Sequence, residues 1–224
     1  MKVAVVGLGL FGRSLAVNLA RSGVEVWAVD SRMDLIDDIR DEVAVAVQLD
    51  ATDERELRAQ GIHETDVLVA SIGDDFEANQ LLVVLAKQVG IPRVIARAPS
   101  PKHARILKLI GADDVVMPEE QASEDCARRI CQPSLKGYFE LVEGYSVAEI
   151  QAPVSFDGKT LAELDLKTRY RINLVAIRRA ATIPGAKPVI NAVPLGSDQL
   201  RKGDVLAVAG RDEDIQKLME APPA

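Results

Sequence analysis

The chain has 224 residues, 48 % hydrophobic and 27 % charged, with a formal net charge of −7. That length suits one large domain or two small ones and should bury about 70 % of the unfolded surface. The negative balance argues against nucleic acid and against an anionic membrane surface as partners, and no apolar run approaches the roughly 20 residues of a membrane span.

Met1-Lys2-Val3 leads straight into an apolar strand, so no signal peptide is expected. Val3-Ala4-Val5-Val6 is too short for a helix and β-branched enough for a strand buried on both faces. Gly7-Leu8-Gly9-Leu10-Phe11-Gly12 follows and fits the pattern G-x-G-x-x-G; Leu15, Ala16, Leu19 and Ala20 then recur at helical spacing up to Ser22-Gly23. A second apolar strand, Val24 to Val29, stops on Asp30.

Each part of this stretch has a physical task in a βαβ nucleotide site. Gly7 permits a tight turn, Gly9 lets the backbone approach a pyrophosphate, and Gly12 lets helix and strand pack closely. Phosphates sit on the free N–H groups of the helix start, where the macrodipole favours negative charge. Asp30, at a strand tip, is placed to accept from ribose hydroxyls and repels a 2′-phosphate, whereas Arg32, after Ser31, could greet one. A structural glycine turn in an ordinary α/β domain is the alternative reading, weakened by strand, glycines, helix and acid standing in register.

Further along, Leu35 to about Glu42 predicts a short helix and Ala44 to Leu49 a third strand. Asp50-Ala51-Thr52-Asp53 follows, with Thr52 or Asp53 capping a helix to about Gln60. Val67 to Ser71 is a fourth buried strand, followed by Ile72-Gly73, and Phe76 to Val89 a long helix. Val94 to Arg97 makes a fifth strand, Pro101 to Ile110 a helix, Asp114 to Met117 a sixth strand, and Pro118 to about Ile130 a last helix. This alternation predicts a doubly wound parallel α/β sheet, with ligand contacts at the strand ends: Gly7 to Gly12, Asp30, Asp50 to Thr52, Ser71 to Gly73 and Arg97.

This first domain is expected over 1–133. Leu135 to Val142 is apolar-rich without a clear period, so 134–145 reads as a linker that packs on a partner chain. From 146 to 224 the texture is α+β: strands at Val147–Val154, Asn173–Arg178 and Val205–Ala209, a pairing segment at Pro188–Ala192, and a turn at Pro184-Gly185. Thr160 should cap a helix over Leu161–Lys167, and Asp212 one ending at Met219. Cys126 and Cys131, five apart on a helix, suit neither a disulfide nor a metal pair; His63 and His103 read as a turn and a surface residue.

The ordered set GLGLFGRSLA, AVD at Asp30, DATDE at Asp50, LVASIGDD at Leu68 and IGADDVVMPE at Ile110 resembles the potassium-conductance regulator (RCK, or KTN) family, of TrkA and KtrA type. NLVAIRR and RKGDVLAVAGRDEDIQKL resemble that family's C-terminal domain. The resemblance implies a Rossmann RCK N-domain and a small RCK C-domain, without enzymatic turnover. It further implies a cytoplasmic homo-oligomer, typically an octameric ring of dimers, docked on a membrane potassium subunit of TrkH or KtrB type and gating it with ATP, ADP or NAD(H). Carried over by position, Gly7, Gly9 and Gly12 line phosphates, Asp30 holds ribose, Asp50 to Thr52 flank adenine, and Ser71, Gly73 and Arg97 complete the wall. Glu119 matches an acid that helps bind a cation such as Mg2+ between nucleotides at the dimer interface, or is simply a helix-start acid. Lys167, Ile172 and Asn173 match a cyclic di-AMP cleft, where Lys167 replaces an arginine and loses its planar fork.

Leu10 stands where many ATP-responsive members carry arginine; Arg13, one helical turn on, either reaches a phosphate or is solvated. The rival readings are an NAD-dependent oxidoreductase and a free-standing nucleotide sensor. The first needs an acid–base group beside a substrate domain, and no histidine falls at a strand end.

Overall fold

The structure, a computed structural model, describes residues 1–131, 135–179 and 188–220. The chain divides into two compact units, Met1–Glu124 and Asp125–Ala224.

The first unit alternates strand and helix as its apolar pattern dictates. Its strands are β1 (Lys2–Val6), β2 (Glu25–Asp30), β3 (Val45–Gln48), β4 (Val67–Ala70), β5 (Arg93–Arg97) and β6 (Asp114–Val116). Its helices are α1 (Leu10–Arg21), α2 (Met33–Ile39), α3 (Glu54–Ala59), α4 (Phe76–Gln88) and α5 (Pro101–Leu109), and α6 (Pro118–Cys131) runs past the unit boundary. All six strands pair in parallel in the order β3-β2-β1-β4-β5-β6. The period of two in β1 explains its continuous apolar run. Ala4 and Val6 enter one core with Leu68, Leu82 and Val94, while Val3 and Val5 enter another with Ala16, Val26 and Ile36. Parallel strands covered on both faces require this double burial. The order reverses direction between β1 and β4, and there a doubly wound sheet opens a crevice at its strand ends.

The second unit is an antiparallel sheet in the order β10-β9-β11-β8-β7, with β7 (Leu135–Val142), β8 (Tyr145–Gln151), β9 (Asn173–Arg179), β10 (Val189–Asn191) and β11 (Val205–Arg211). Ala148, Ile150, Ile177, Leu206 and Val208 enter one core with Ile215 and Leu218 of α9 (Asp212–Met219). The expected turn at Pro184-Gly185 lies outside the described residues.

Three local expectations change. The segment 134–145, read as a linker, holds β7, which pairs antiparallel with β8 from Leu135↔Ile150 to Val142↔Tyr145. Its pattern hid the strand because Phe139, Leu141 and Val142 are all exposed and the register shifts twice, which destroys the alternation of a half-buried strand. The single helix over Leu161–Lys167 is instead α7 (Leu161–Leu164) and α8 (Leu166–Tyr170), broken at Asp165. Asp165 adopts φ 41°, a conformation aspartate tolerates, and its carboxylate accepts from the Thr168 N–H of the new helix. Thr160 does cap α7, in a reciprocal box with Glu163. Finally, α9 begins with Asp212 in its first turn, not at the cap; the Asp212 carboxylate accepts from Ser146 Oγ at 2.6 Å and Tyr138 OH at 3.2 Å.

Candidate functional site

At the strand ends of the first unit lies a cleft of about 900 Å³. Gly7, Gly9, Leu10, Phe11, Arg13, Asp30, Ser31, Arg32, Asp50, Ala51, Thr52, Ser71, Ile72, Gly73, Arg97 and Glu119 all line it. Leu8, inside the expected Gly7 to Gly12 stretch, lines it as well, and so do Val6, Leu35, Leu49, Asp74, Asp75 and Ala78, which the strand-end rule does not reach.

The three glycines of the fingerprint are glycines for three different reasons. Gly7 has φ +93°, and a Cβ there would sit 2.8 Å from the backbone of Ser71 and Ile72. Gly12 lies beneath the cleft wall: a Cβ on it would collide with the Gly7 carbonyl and approach Ser71 Oγ at 2.5 Å. Gly9 alone of the three has open space, with nothing among the described residues within 4 Å of an added Cβ. It is also the N-cap of α1 and places no side chain on the helix start, so the first N–H groups of α1 keep their donors for a ligand.

Asp30 organises the loop it faces. Its Oδ2 accepts from the Leu8 N–H at 2.7 Å and its Oδ1 from the Arg32 N–H at 2.9 Å. Arg32 itself is largely exposed, its Nε 3.9 Å from the same carboxylate. On the neighbouring strand end, the Thr52 hydroxyl, at 2.6 Å, and the Thr52 N–H, at 2.9 Å, hold the Asp50 carboxyl below its ordinary value.

Ser71 serves the loop rather than the cleft: its hydroxyl lies 2.6 Å from the Gly7 carbonyl and 3.0 Å from that of Val6. Asn79 does the same between β4 and β5. Buried in the core stripe of α4, it accepts from the Ile72 N–H at 3.3 Å and donates to the Arg97 carbonyl at 3.1 Å. A polar residue in a helical stripe shared with Leu82, Val83 and Ala86 was the available signal for it.

Arg13 lines the cleft, but its charge is already engaged. Its guanidinium donates to Glu42 at 3.0 Å and to the Asp38 carbonyl at 3.4 Å, which makes it a surface tie between α1 and the end of α2. Leu10 is 96 % exposed and offers the cleft no side-chain donor. At the far end, Arg97 donates to Glu119, whose carboxyl this guanidinium holds below its ordinary value. Among the described residues no three His, Cys, Asp or Glu side chains come together as a metal site. Glu119 therefore gives one carboxylate, already engaged, and a cation there would need most of its oxygens from phosphates or a second chain.

In the second unit, Lys167 and Asn173 are exposed on either side of Arg171, which has φ 56°. Ile172 between them is a core residue, packed against Gly210. Cys126 and Cys131 are exposed free thiols. No helix among the described residues is long and apolar enough to cross a membrane.

Comparison with known proteins matches residues 3–118 to the TrkA-N domain and residues 146–221 to the TrkA-C domain. The chain is 34 % identical over 215 residues to the Ktr system potassium uptake protein C of Bacillus subtilis (strain 168), covering 96 % of this chain and 94 % of that one. It is 30 % identical, with the same coverage, to the Ktr system potassium uptake protein A of that organism. The crystal structure of the GsuK RCK domain superposes with a TM-score of 0.53 at 23 % identity over 98 % of this chain, which spans 46 % of that chain; GsuK has also been solved as a channel bound to NAD. The Rossmann-type sheet and the small antiparallel domain are thus those of the RCK fold.

Proposed function

We infer, from the premise that the chain belongs to the family built of a TrkA-N and a TrkA-C domain, that it is a nucleotide-binding regulatory subunit of a potassium uptake system. The observation that carries this reading is Gly9. Packing demands the glycines at 7 and 12, but none of the described residues fills the space beside Gly9. That space lies over the open donors of α1 and in the cleft that Asp30 also lines, the arrangement that takes a pyrophosphate and a ribose. Adenine nucleotide, as ATP, ADP or NAD(H), is the proposed ligand, its base over Leu49 and Ala51.

Two further parts of the reading draw on the relatives. The potassium uptake proteins at 34 % and 30 % identity support a membrane-embedded transport subunit of TrkH or KtrB type as partner, which the chain would meet from the cytoplasm and gate according to the nucleotide held. An octameric ring of dimers is the proposed assembly. Identify the nucleotide retained on purification and weigh the particle in solution, then titrate ATP, ADP and NADH by calorimetry. Micromolar binding of an adenine nucleotide and a mass of several chains are expected. A monomer that binds none of the three overturns the reading.

A further inference from the structure

The second unit holds a cavity of its own, of about 200 Å³, which the nucleotide reading does not use. Its wall is drawn from the end of α6, from β7 and β8, and from α9. Sites for drug-sized ligands run to roughly 300–1,000 Å³, so this one suits a smaller molecule. Its lining is sorted by chemistry. Leu135 of β7 and Ile215 and Met219 of α9 give apolar surface, Asp212 gives an anion, and Arg128 gives a cation.

Neither charge is fully answered. Asp212 receives neutral donors alone, Ser146 Oγ at 2.6 Å on one carboxylate oxygen and Tyr138 OH at 3.2 Å on the other. Ser146 is buried, and burial, ahead of the Asp212 charge, pushes the Tyr138 phenol up, so both hydroxyls remain donors at neutral pH. A carboxylate has about four lone-pair sites, which leaves roughly two of them open. No cation among the described residues makes an ion pair with Asp212. Arg128 lies with its guanidinium carbon 3.9 Å from the centre of the Tyr138 ring, and its charged partner is Asp125 on its own helix, at 3.6 Å. That separation is too long for a hydrogen bond, so the planar fork keeps its donors. The helix dipole accounts for an acid in the first turn of α9. It does not account for a cation and an apolar floor on the same small cavity.

We propose that this cavity binds an α-amino acid with a small aliphatic side chain: Arg128 takes its carboxylate, Asp212 its ammonium group, and Leu135, Ile215 and Met219 its side chain. A guanidinium grips a carboxylate through two parallel charge-assisted bonds. An ammonium group brings three donors to the open lone pairs of Asp212. A zwitterion answers both charges at once. An anion or a cation alone answers one and leaves the other without a partner, in a partly desolvated place where that is costly. The proposal does not depend on the nucleotide-binding reading.

Calorimetry of alanine, valine and leucine into the full chain tests this, followed by two relatives of the tightest of the three. One is its amide, which lacks the carboxylate, and the other is the acid without its amino group. The same titrations are made with Arg128→Gln and Asp212→Asn, and thermal melts confirm that each variant is folded. At least one amino acid should bind with a Kd below about 1 mM. Its amide and its deaminated acid should bind at least fivefold more weakly, and each variant should weaken the amino acid at least fivefold. If Asp212→Asn does not fold, Arg128→Gln decides alone, since Arg128 makes no hydrogen bond among the described residues that the fold would miss. No binding of any of the three below 1 mM overturns the proposal. So does a loss smaller than fivefold in the amide, in the deaminated acid or in Arg128→Gln.

Discussion

Replacing Asp30 with alanine should remove most adenine-nucleotide affinity while leaving the first unit folded. Asp30 ends a central strand, and its two carboxylate oxygens hold the Leu8 and Arg32 N–H groups at 2.7 and 2.9 Å. A ribose diol presents two hydroxyls to the remaining lone pairs, and each charge-assisted bond contributes about 1.5–3 kcal/mol. Because each oxygen already serves a backbone donor, we take the lower end, about 3 kcal/mol for the two. That corresponds to about a 150-fold weaker Kd. The strand itself stays buried on both faces, so the unfolding transition should survive. Calorimetry with ADP alongside a thermal melt measures both quantities. A cooperative melt with affinity within about threefold of wild type, less than 0.7 kcal/mol, would refute the ribose assignment.

Five further outcomes follow from the site and the charges. Gly12→Ala should destabilise the first unit by about 2 kcal/mol or more, since its Cβ meets backbone that cannot swing away. Gly9→Ala should leave the melt unchanged and weaken nucleotide binding at least tenfold; equal melts for the two variants would refute the distinction. Arg13→Ala should leave the ATP/ADP ratio within twofold because Arg13 is tied to Glu42, and Leu10→Arg should widen it by adding a fork at the phosphate loop; a preference lost in Arg13→Ala would make Arg13 the sensor instead. On acidification both units should lose stability. Lys87 and then the Val94 N–H hold the Asp113 carboxyl below its ordinary value, and the Leu195 N–H and then Asn191 do so for Asp198. Depressed folded values add stability that is whole above the ordinary carboxylate range and fades as pH falls through them, below about pH 4. Circular dichroism from pH 7 to 2 checks this, and stability that rises between pH 5 and 3 would contradict it.

The Rossmann half was legible because its strands are buried on both faces. Continuous apolar runs such as Val3–Val6 and Val67–Ala70 read as strands buried on both faces, and the strand-end rule then located rather more than half of the cleft wall. What sequence could not supply were contacts between side chains distant along the chain. Arg97 and Glu119 are 22 residues apart, and no local pattern announces that they share a hydrogen bond. Arg13 was undecided for the same reason, its partner Glu42 being 29 residues on. In the second unit the obstacles were local: β7 exposes consecutive apolar residues, and Asp165 breaks a helix without a glycine or proline to mark it.

The strand order has a consequence for how the first unit is assembled. The strands β1, β2 and β3 pair between near neighbours and are complete by residue 48, whereas β4 reaches β1 only after 60 more residues have followed Val6. The cleft lies on the seam between this early half and the late half, β4 to β6, because that seam is where the order turns round. Pairing across such a distance in the chain is the slow event in folding. A nucleotide seated in the cleft touches both halves and binds only when the seam has closed. Its free concentration would then stabilise the joined state by mass action, so the supply of ligand would set how much of the newly made chain stays folded.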